Sequence, residues 1–446
     1  MSQTSKPWIR NHDNVRTVII NATVIDVERG EEVWDCGIEI LNGKVVDVGP
    51  HVPATPITPS DRVIDVDTAY VLPGLIDCHV HLMAAYGSVI LREDVSVDSS
   101  TRALRAAYAG REMLMRGFTT IRDCGGAPRS LSVAFEEGLA VGPRLFVCGS
   151  AISQTGGHGD FRGSSEDSYT VGECYGHCHG GIARLADGVS SCLVAARDEL
   201  RRGAHFIKIC GTGGGVASPN DPLHSISFTD DEVQAIAQTA SRFGTYATAH
   251  AYTPNSARHA ILNGVKGIEH GNLLDLDTLR LMKQMDIFLT PTLITYNAFT
   301  REPYRSRLDE NFKAKNAEVL SKGLETLKAA HDMGITICYG SDLLSDMQHL
   351  QSEEFSIRAK VLPAAEVLKM ATCNPAKMLG MKDRLGTLLS PGCFADLVVL
   401  SKDAPNPLED VAGLAEGERY IDLIMKDGKV VLERREMGVR PRGMTP

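Results

Sequence analysis

Between residues 71 and 385, short apolar runs alternate with amphipathic stretches, and this rhythm constrains the fold more than any other feature of the sequence. Candidate strands are Leu75–His79, Thr119–Asp123, Leu145–Cys148, Phe206–Cys210, Tyr246–His250, Gly267–His270, Phe288–Thr290 and Thr336–Tyr339. Helical patterns at Thr101–Met115, Ser191–Arg202, Asp230–Phe243 and Asn311–Met333 fall between several of them. Strand-length runs separated by longer helical segments signal βα units and a parallel sheet. Eight such units close a (β/α)8 barrel, with a doubly wound open sheet as the alternative.

The two ends have a different character. Val18–Val27 alternates β-branched residues and stops at Glu28-Arg29-Gly30. Gly37–Val48 folds back at Asn42-Gly43, a hairpin dipeptide, and Val63–Val71 is a third candidate strand. Gly386–Leu400 and Ile421–Leu432 repeat the pattern, the latter with a turn at Lys426-Asp427-Gly428-Lys429. The expected architecture is α/β. A (β/α)8 TIM barrel spans residues 71–385, and a small β-sandwich domain is built jointly from residues 1–70 and 386–446.

Composition then removes whole classes of function. A chain of 446 residues can bury a large core without disulfides. Its 43% hydrophobic and 23% charged content is that of a soluble globular protein. A formal net charge of -10 argues against a nucleic-acid partner, which requires a basic face. The 11 cysteines are odd in number and scattered, unlike a disulfide framework. Met1–Asn14 is polar, and no run reaches the roughly 18 apolar residues that a membrane helix needs. These features predict a cytoplasmic protein with neither a nucleic-acid nor a membrane partner.

Chemistry begins at Pro73-Gly74-Leu75-Ile76-Asp77-Cys78-His79-Val80-His81. Residues two apart on a strand face one side, so His79 and His81 point together and can chelate a divalent ion. Two ordinary polar residues at a strand end would look the same, but the preceding Pro-Gly-Leu-Ile-Asp favours the ligand reading. Lys208 sits inside the apolar run Phe206–Cys210, where a charge is expensive. Taken alone, it reads as a lysine that snorkels to the rim. As a functional group, it is an amine kept neutral beside metal charge, able to add carbon dioxide and offer two carbamate oxygens to two metals. His250 and His270 each close a candidate strand, at the end where barrel active sites form. Asp342 follows the run Ile335–Cys338. A strand-end aspartate commonly caps a helix, but it can also ligate a metal and accept a proton from water.

In chain order these residues place two histidines, a lysine, two single histidines and an aspartate on strands one, four, five, six and eight. This order resembles the amidohydrolase superfamily over nearly the whole chain. So do Gly117-Phe118-Thr119-Thr120-Ile121-Arg122-Asp123, Thr372-Cys373-Asn374-Pro375-Ala376 and Gly392-Cys393-Phe394-Ala395-Asp396-Leu397. Ser153-Gln154-Thr155-Gly156-Gly157-His158-Gly159-Asp160, the segment Ile207–Gly215 and Ile268-Glu269-His270-Gly271-Asn272 are similar to the imidazolonepropionase-related branch. That branch includes prolidase-type Xaa-Pro dipeptidases and ochratoxinase. His250-Ala251-Tyr252 looks more like the dipeptidases, because the ochratoxinase pattern has a second histidine where Tyr252 stands.

The resemblance implies that His79, His81 and Asp342 hold one metal, that His250 and His270 hold a second, and that carbamylated Lys208 bridges them. Zinc is the first expectation for such N/O ligands, with manganese and cobalt as alternatives. A metal-activated hydroxide would attack the amide carbonyl, and Asp342 would carry the proton to the leaving amine. Tyr252, two residues past His250, is a candidate donor to the carbonyl oxygen, with a merely packed aromatic as the alternative. Asp77 is a candidate for orienting a ligand, with a structural polar anchor as the alternative. His158, in a glycine-rich loop, is by the same resemblance a candidate catalytic and substrate contact, with a turn histidine in water as the alternative. Arg122, Arg301 and Arg305 could fork onto a substrate carboxylate, and Tyr296 lies in the same stretch as the last two. A solvated surface is the plainer reading for most of these charges.

The implied function is hydrolysis of an amide in dipeptides or N-acyl amino acids, including ochratoxin-like amides. The alternative is a cyclic amide, a carbamate or a urea on the same metal centre. A catalytically silent scaffold is a further reading, which the complete ligand set disfavours. The resemblance also implies a homo-oligomer. Gly213-Gly214-Gly215 lacks the Gly-Lys-Ser/Thr ending of a phosphate loop. Cys174, His177, Cys178 and His179 have poor spacing for a structural zinc and are expected to hold no metal of their own.

Overall fold

The computed structural model describes residues 6, 8, 15–84, 97–160, 162, 182–211 and 221–434. The Cys174–His179 cluster and Gly213–Gly215 lie outside them. In chain order the strands are β1 (Thr17–Asp26), β2 (Glu31–Leu41), β3 (Lys44–Gly49), β4 (Arg62–Asp65) and β5 (Tyr70–Pro73). Then come β6 (Leu75–Val80), β7 (Phe118–Asp123), β8 (Arg144–Val147), β9 (Ala151–Ser153), β10 (Ala183–Leu185) and β11 (Ile207–Ile209). The series ends with β12 (Ala247–Ala251), β13 (Gly267–His270), β14 (Phe288–Thr290), β15 (Leu397–Leu400), β16 (Ile421–Lys426) and β17 (Lys429–Glu433).

Both chain ends contribute to one eight-stranded mixed sheet, ordered β17-β16-β15-β5-β1-β2-β3 with β4 on β1. The sandwich expected from the sequence is thus a single hydrogen-bonded sheet turned over its own core. Period-2 alternation divides its side chains between two faces. Val71, Leu397, Val399 and Leu423 enclose one apolar cluster with Ile38 and Ile40 of the far strand β2. Leu72, Val398, Leu400 and Ile424 face the main core instead. The hairpin turns at the two ends of the sheet touch, since a methyl on Gly428 would lie 2.8 Å from Gly43 Cα. Asn42 and Gly43 both adopt positive φ (52° and 78°), the geometry that a two-residue hairpin turn demands.

The middle of the chain forms parallel strands: a sheet β6-β7-β8 and a sheet β10-β9-β11-β12-β13-β14. Hydrogen bonds span the gaps between them. His205 N donates to Val147 O at 2.8 Å, Leu289 N to Thr336 O at 3.0 Å, and Cys78 N to Tyr339 O at 2.8 Å. The expected strand Thr336–Tyr339 is an isolated bridge, Leu289 to Ile337. Strands β9 and β10, three residues each, are absent from the sequence reading because so short a run shows no period. Level register aligns the strand ends, with His250 opposite Glu269 and Ala251 opposite His270.

Helices start where side chains satisfy the orphan N–H groups of the first turn. Asp98 accepts from Ser100 N and Thr101 N ahead of Ser99–Met115. Asp309 accepts from Phe312 N ahead of Glu310–Asp332. Among the described residues, every cysteine is a free thiol, and no helix is long and apolar enough to cross a membrane.

Candidate active site

The parallel strands end at one cavity, lined by His79, His81, His158, Lys208, His250, Tyr252, His270, Tyr296 and Asp342 among others. His79 is the last residue but one of β6 and faces inward, and His81 follows just past the strand's end. Each ring is held by its Nδ1: His79 against Glu269 Oε2 at 2.8 Å, His81 against Gly125 O at 3.0 Å. An imidazole that donates from Nδ1 presents the Nε2 lone pair. Both Nε2 atoms face Asp342 Oδ1, at 3.5 and 3.3 Å. The candidate ligand atoms of this trio all lie within 4.8 Å of one another, a spacing one ion can span. Burial, reinforced by the Lys208 charge, pulls His79 down to about 4, so its ring is neutral at pH 7, the form that binds metal. Burial opposes protonation of His81 too, but Asp342 outweighs it and raises the ring. The same two imidazoles hold Asp342 below the usual carboxylate range against the opposing effect of burial.

Beneath His79 lies a pair that sequence reasoning missed. Glu269 and Arg122 are both fully buried and bonded at 2.6 Å. Arg122 Nε also donates to Cys78 O at 2.6 Å, and its guanidinium lies over the Phe206 and Phe288 rings. Burial works to raise the Glu269 carboxyl, but Arg122 and His79 hold it far below its ordinary value. Arg122, expected to meet a substrate carboxylate, is not among the residues that line the cavity, and its side chain donates to Glu269 and to a strand carbonyl. The available signal was Glu269 itself, a charge in the middle of a short apolar strand, as conspicuous as Lys208.

His270 adopts φ 73°, which breaks strand alternation at the end of β13. Glu269 and His270 can then both turn inward from successive positions. His270 Nδ1 meets Thr292 Oγ1 at 2.8 Å and Tyr296 Oη at 3.1 Å. His250 packs edge-on to His270 with ring centroids 4.5 Å apart and stacks on His158 at 4.2 Å. Tyr296 Oη donates to Tyr252 Oη at 3.0 Å, so the two phenols and His270 form one polar cluster. Lys208 is 3% exposed at the centre of β11, and its charge bears on His79, His158 and His270. Burial, then Lys208, brings His158 down to about 4. Among the described residues, His158 Nδ1 is buried without a hydrogen-bond partner.

The remaining candidates lie elsewhere. Among the described residues, Asp77 has no hydrogen bond to an imidazole ring. Its Oδ1 accepts from His79 N at 3.0 Å and Ser341 N at 3.2 Å, and its Oδ2 from Ser341 Oγ at 2.6 Å. Arg301 pairs with Glu353 at the surface, 2.7 Å away. Arg305 belongs to the exposed turn Arg305–Arg307.

The arrangement sits on a recognisable chain. The profile of the Amidohydrolase family matches residues 70–431. Ochratoxinase of Aspergillus niger is 28% identical over 435 residues, covering 95% of this chain and 88% of its own. A prolidase crystallised with N-methylphosphonate-L-proline is 38% identical, with a TM-score of 0.87 over 94% of this chain and 100% of that one. A Xaa-Pro dipeptidase with bound methionine in its active site is 29% identical, with a TM-score of 0.81 over 94% and 100%. With its cavity at the ends of parallel strands and the family profile spanning most of its length, the chain belongs to the amidohydrolase family and is a hydrolase.

Proposed function

We propose that this chain is a binuclear metal-dependent amidohydrolase acting on dipeptides or N-acyl amino acids, including ochratoxin-like amides. The observation that carries the reading is the cavity that gathers His79, His81, Lys208, His250, His270 and Asp342. The donor set fits divalent ions, because imidazoles fixed through Nδ1 present lone pairs toward a carboxylate. In this reading His79, His81 and Asp342 would hold one ion, His250 and His270 the other, and Lys208, once carbamylated, would be shared between them. The parallel strands close into a (β/α)8 barrel over residues 71–385, with residues 1–70 and 386–446 as a companion β domain.

Bound ions supply Lewis acidity to the amide carbonyl and acidity to water. The protein's residues do the rest. Asp342 accepts the proton of the attacking water and delivers it to the leaving nitrogen, a transfer worth about 10²–10⁴ in rate. Tyr252, its hydroxyl oriented by Tyr296 Oη at 3.0 Å, donates to the carbonyl oxygen as charge develops there. His158 contacts the substrate across His250. The name of the Aspergillus relative and the proline ligand of the prolidase both support an amide beside a free carboxylate.

The test is metal content by elemental analysis, for wild type and Lys208→Ala grown with zinc and bicarbonate. It is run beside a panel of dipeptides, N-acyl amino acids and cyclic amides. The expected result is close to two metals per chain, falling sharply in the variant, with turnover of the linear amides. One metal in both proteins, with turnover of cyclic amides only, would replace this reading with a mononuclear enzyme.

A further inference from the structure

After Asp342 the chain runs through a 3-10 turn, Ser345–Leu350, into a short helix, Glu353–Arg358. Gln348, Gln351, Glu354 and Arg358 are spaced by three, three and four, so they share one face. All are at most 1% exposed. A ridge of apolar residues would pack here with at least equal stability, since buried amides and ion pairs gain little net free energy. What distinguishes the polar ridge is where each side chain ends.

Gln348 Nε2 donates to His81 O at 3.0 Å. Gln351 Nε2 donates to Asp77 Oδ2 at 2.8 Å, and its Oε1 accepts from Arg116 Nε at 3.1 Å and Nη2 at 3.0 Å. Asp77 in turn holds the backbone N–H of His79 and both N–H and Oγ of Ser341, the residue before Asp342. Glu354 Oε2 accepts from Ile294 N at 2.6 Å, at the start of the helix that carries Tyr296. Arg358 donates to Pro291 O at 2.7 Å and to Cys338 O at 3.1 Å. The segments that carry His79, His81, Asp342 and Tyr296 are each tied to this one ridge, and among the described residues none of these ties touches a candidate ligand atom.

We propose that Gln348 and Gln351 are positioning residues: they set the spacing of His79, His81 and Asp342 by holding the backbone and the carboxylate that carry them. The inference rests on the metal-binding part of the proposed function. Glutamine suits the task because position 351 must donate to a carboxylate and accept from a guanidinium at once, which neither a carboxylate nor an ammonium can do.

The test titrates the chelator-treated apoprotein with cobalt(II), followed by visible absorbance, in wild type, Gln351→Met and Gln348→Met. Arg144→Met serves as a control for general loosening, since Arg144 is largely buried, pairs with Asp396 at 3.2 Å and is not part of the cavity lining. Both glutamine variants should lose cobalt affinity by about 10- to 100-fold, the cost expected when a group orienting a ligand is removed. Arg144→Met should melt at least as early yet bind cobalt as wild type does. Cobalt affinity within about twofold of wild type in either glutamine variant that folds would overturn the proposal. So would an equal loss in Arg144→Met. A wild-type protein that takes up no cobalt would overturn both this inference and the metal reading beneath it, whereas failure of the variants alone would leave the metal reading standing.

Discussion

Replacing Arg122 by methionine isolates the energetics of the floor of the site. The guanidinium and its partner Glu269 are both 0% exposed and 2.6 Å apart. Without it the Glu269 carboxylate stays buried and, among the described residues, keeps only Thr248 and His79 as donors. Breaking a buried pair in this way costs about 3–5 kcal/mol, because the remaining charge is uncompensated. Unfolding entropy of ~2.1 cal/mol/K per residue over 446 residues gives about 0.9 kcal/mol/K, so the melting temperature should fall by about 3–5 °C. Scanning calorimetry on Arg122→Met, Glu269→Gln and the double variant makes the test. The double variant should lose no more than one single variant, since it leaves no lone charge. An Arg122→Met protein melting within about 1 °C of wild type, or a double variant that loses the sum of both, would refute the reasoning.

Gly340→Ala should cut kcat by about 100-fold with the circular dichroism spectrum unchanged. The added methyl would meet Thr290 Cγ2 at 2.7 Å and His79 Cβ at 3.0 Å, so His79 must move. Tyr252→Phe should lower kcat by about 10²–10³-fold while the melting temperature falls by no more than about 1–2 °C for the lost Tyr296 hydrogen bond, read by steady-state kinetics and calorimetry together. Asp198→Asn should remove a pH-dependent share of stability. Burial works to raise that carboxyl, but Arg201 and Arg184 hold it at about 2 in the folded chain. The stabilisation is therefore present above its unfolded value near 3.8, is lost as pH falls through about 2, and amounts to about 1–2 kcal/mol at neutral pH. Melting curves of both proteins from pH 7 downward should converge over that interval.

The parts legible in the sequence were those carried by short-range pattern. Two-residue spacing placed His79 and His81 on one side of β6, and the lone charge of Lys208 in an apolar run marked β11. The hairpin at Asn42-Gly43 announced itself through residues that tolerate positive φ. What escaped depended on long-range geometry. Val63–Val71 read as one strand, but positive φ at Asp67 and Thr68 splits it into β4 and β5. Arg122 looked available for substrate because nothing local shows that Glu269, 147 residues away, claims it. Glu269 and His270 could not both be assigned to the cavity by alternation, since the left-handed turn at His270 appears only in three dimensions. Gln348 and Gln351 carry no local signal, because the atoms they hold lie 267 and 274 residues earlier.

The pairing of β5 with β15 sets a schedule for synthesis. Val71 lies beside Val399 in the finished sheet, so 328 residues separate strand from partner. At 5–20 residues per second, a ribosome needs about 15–65 s to deliver β15 after β5 has emerged. Throughout that interval β5 presents an unpaired edge, and Val71 and Leu72, both 0% exposed in the finished chain, lack the part of their core that β15 and β16 supply. The parallel strands that follow must therefore form while this edge waits, and the waiting edge is the part of the nascent chain that most needs shielding from its neighbours.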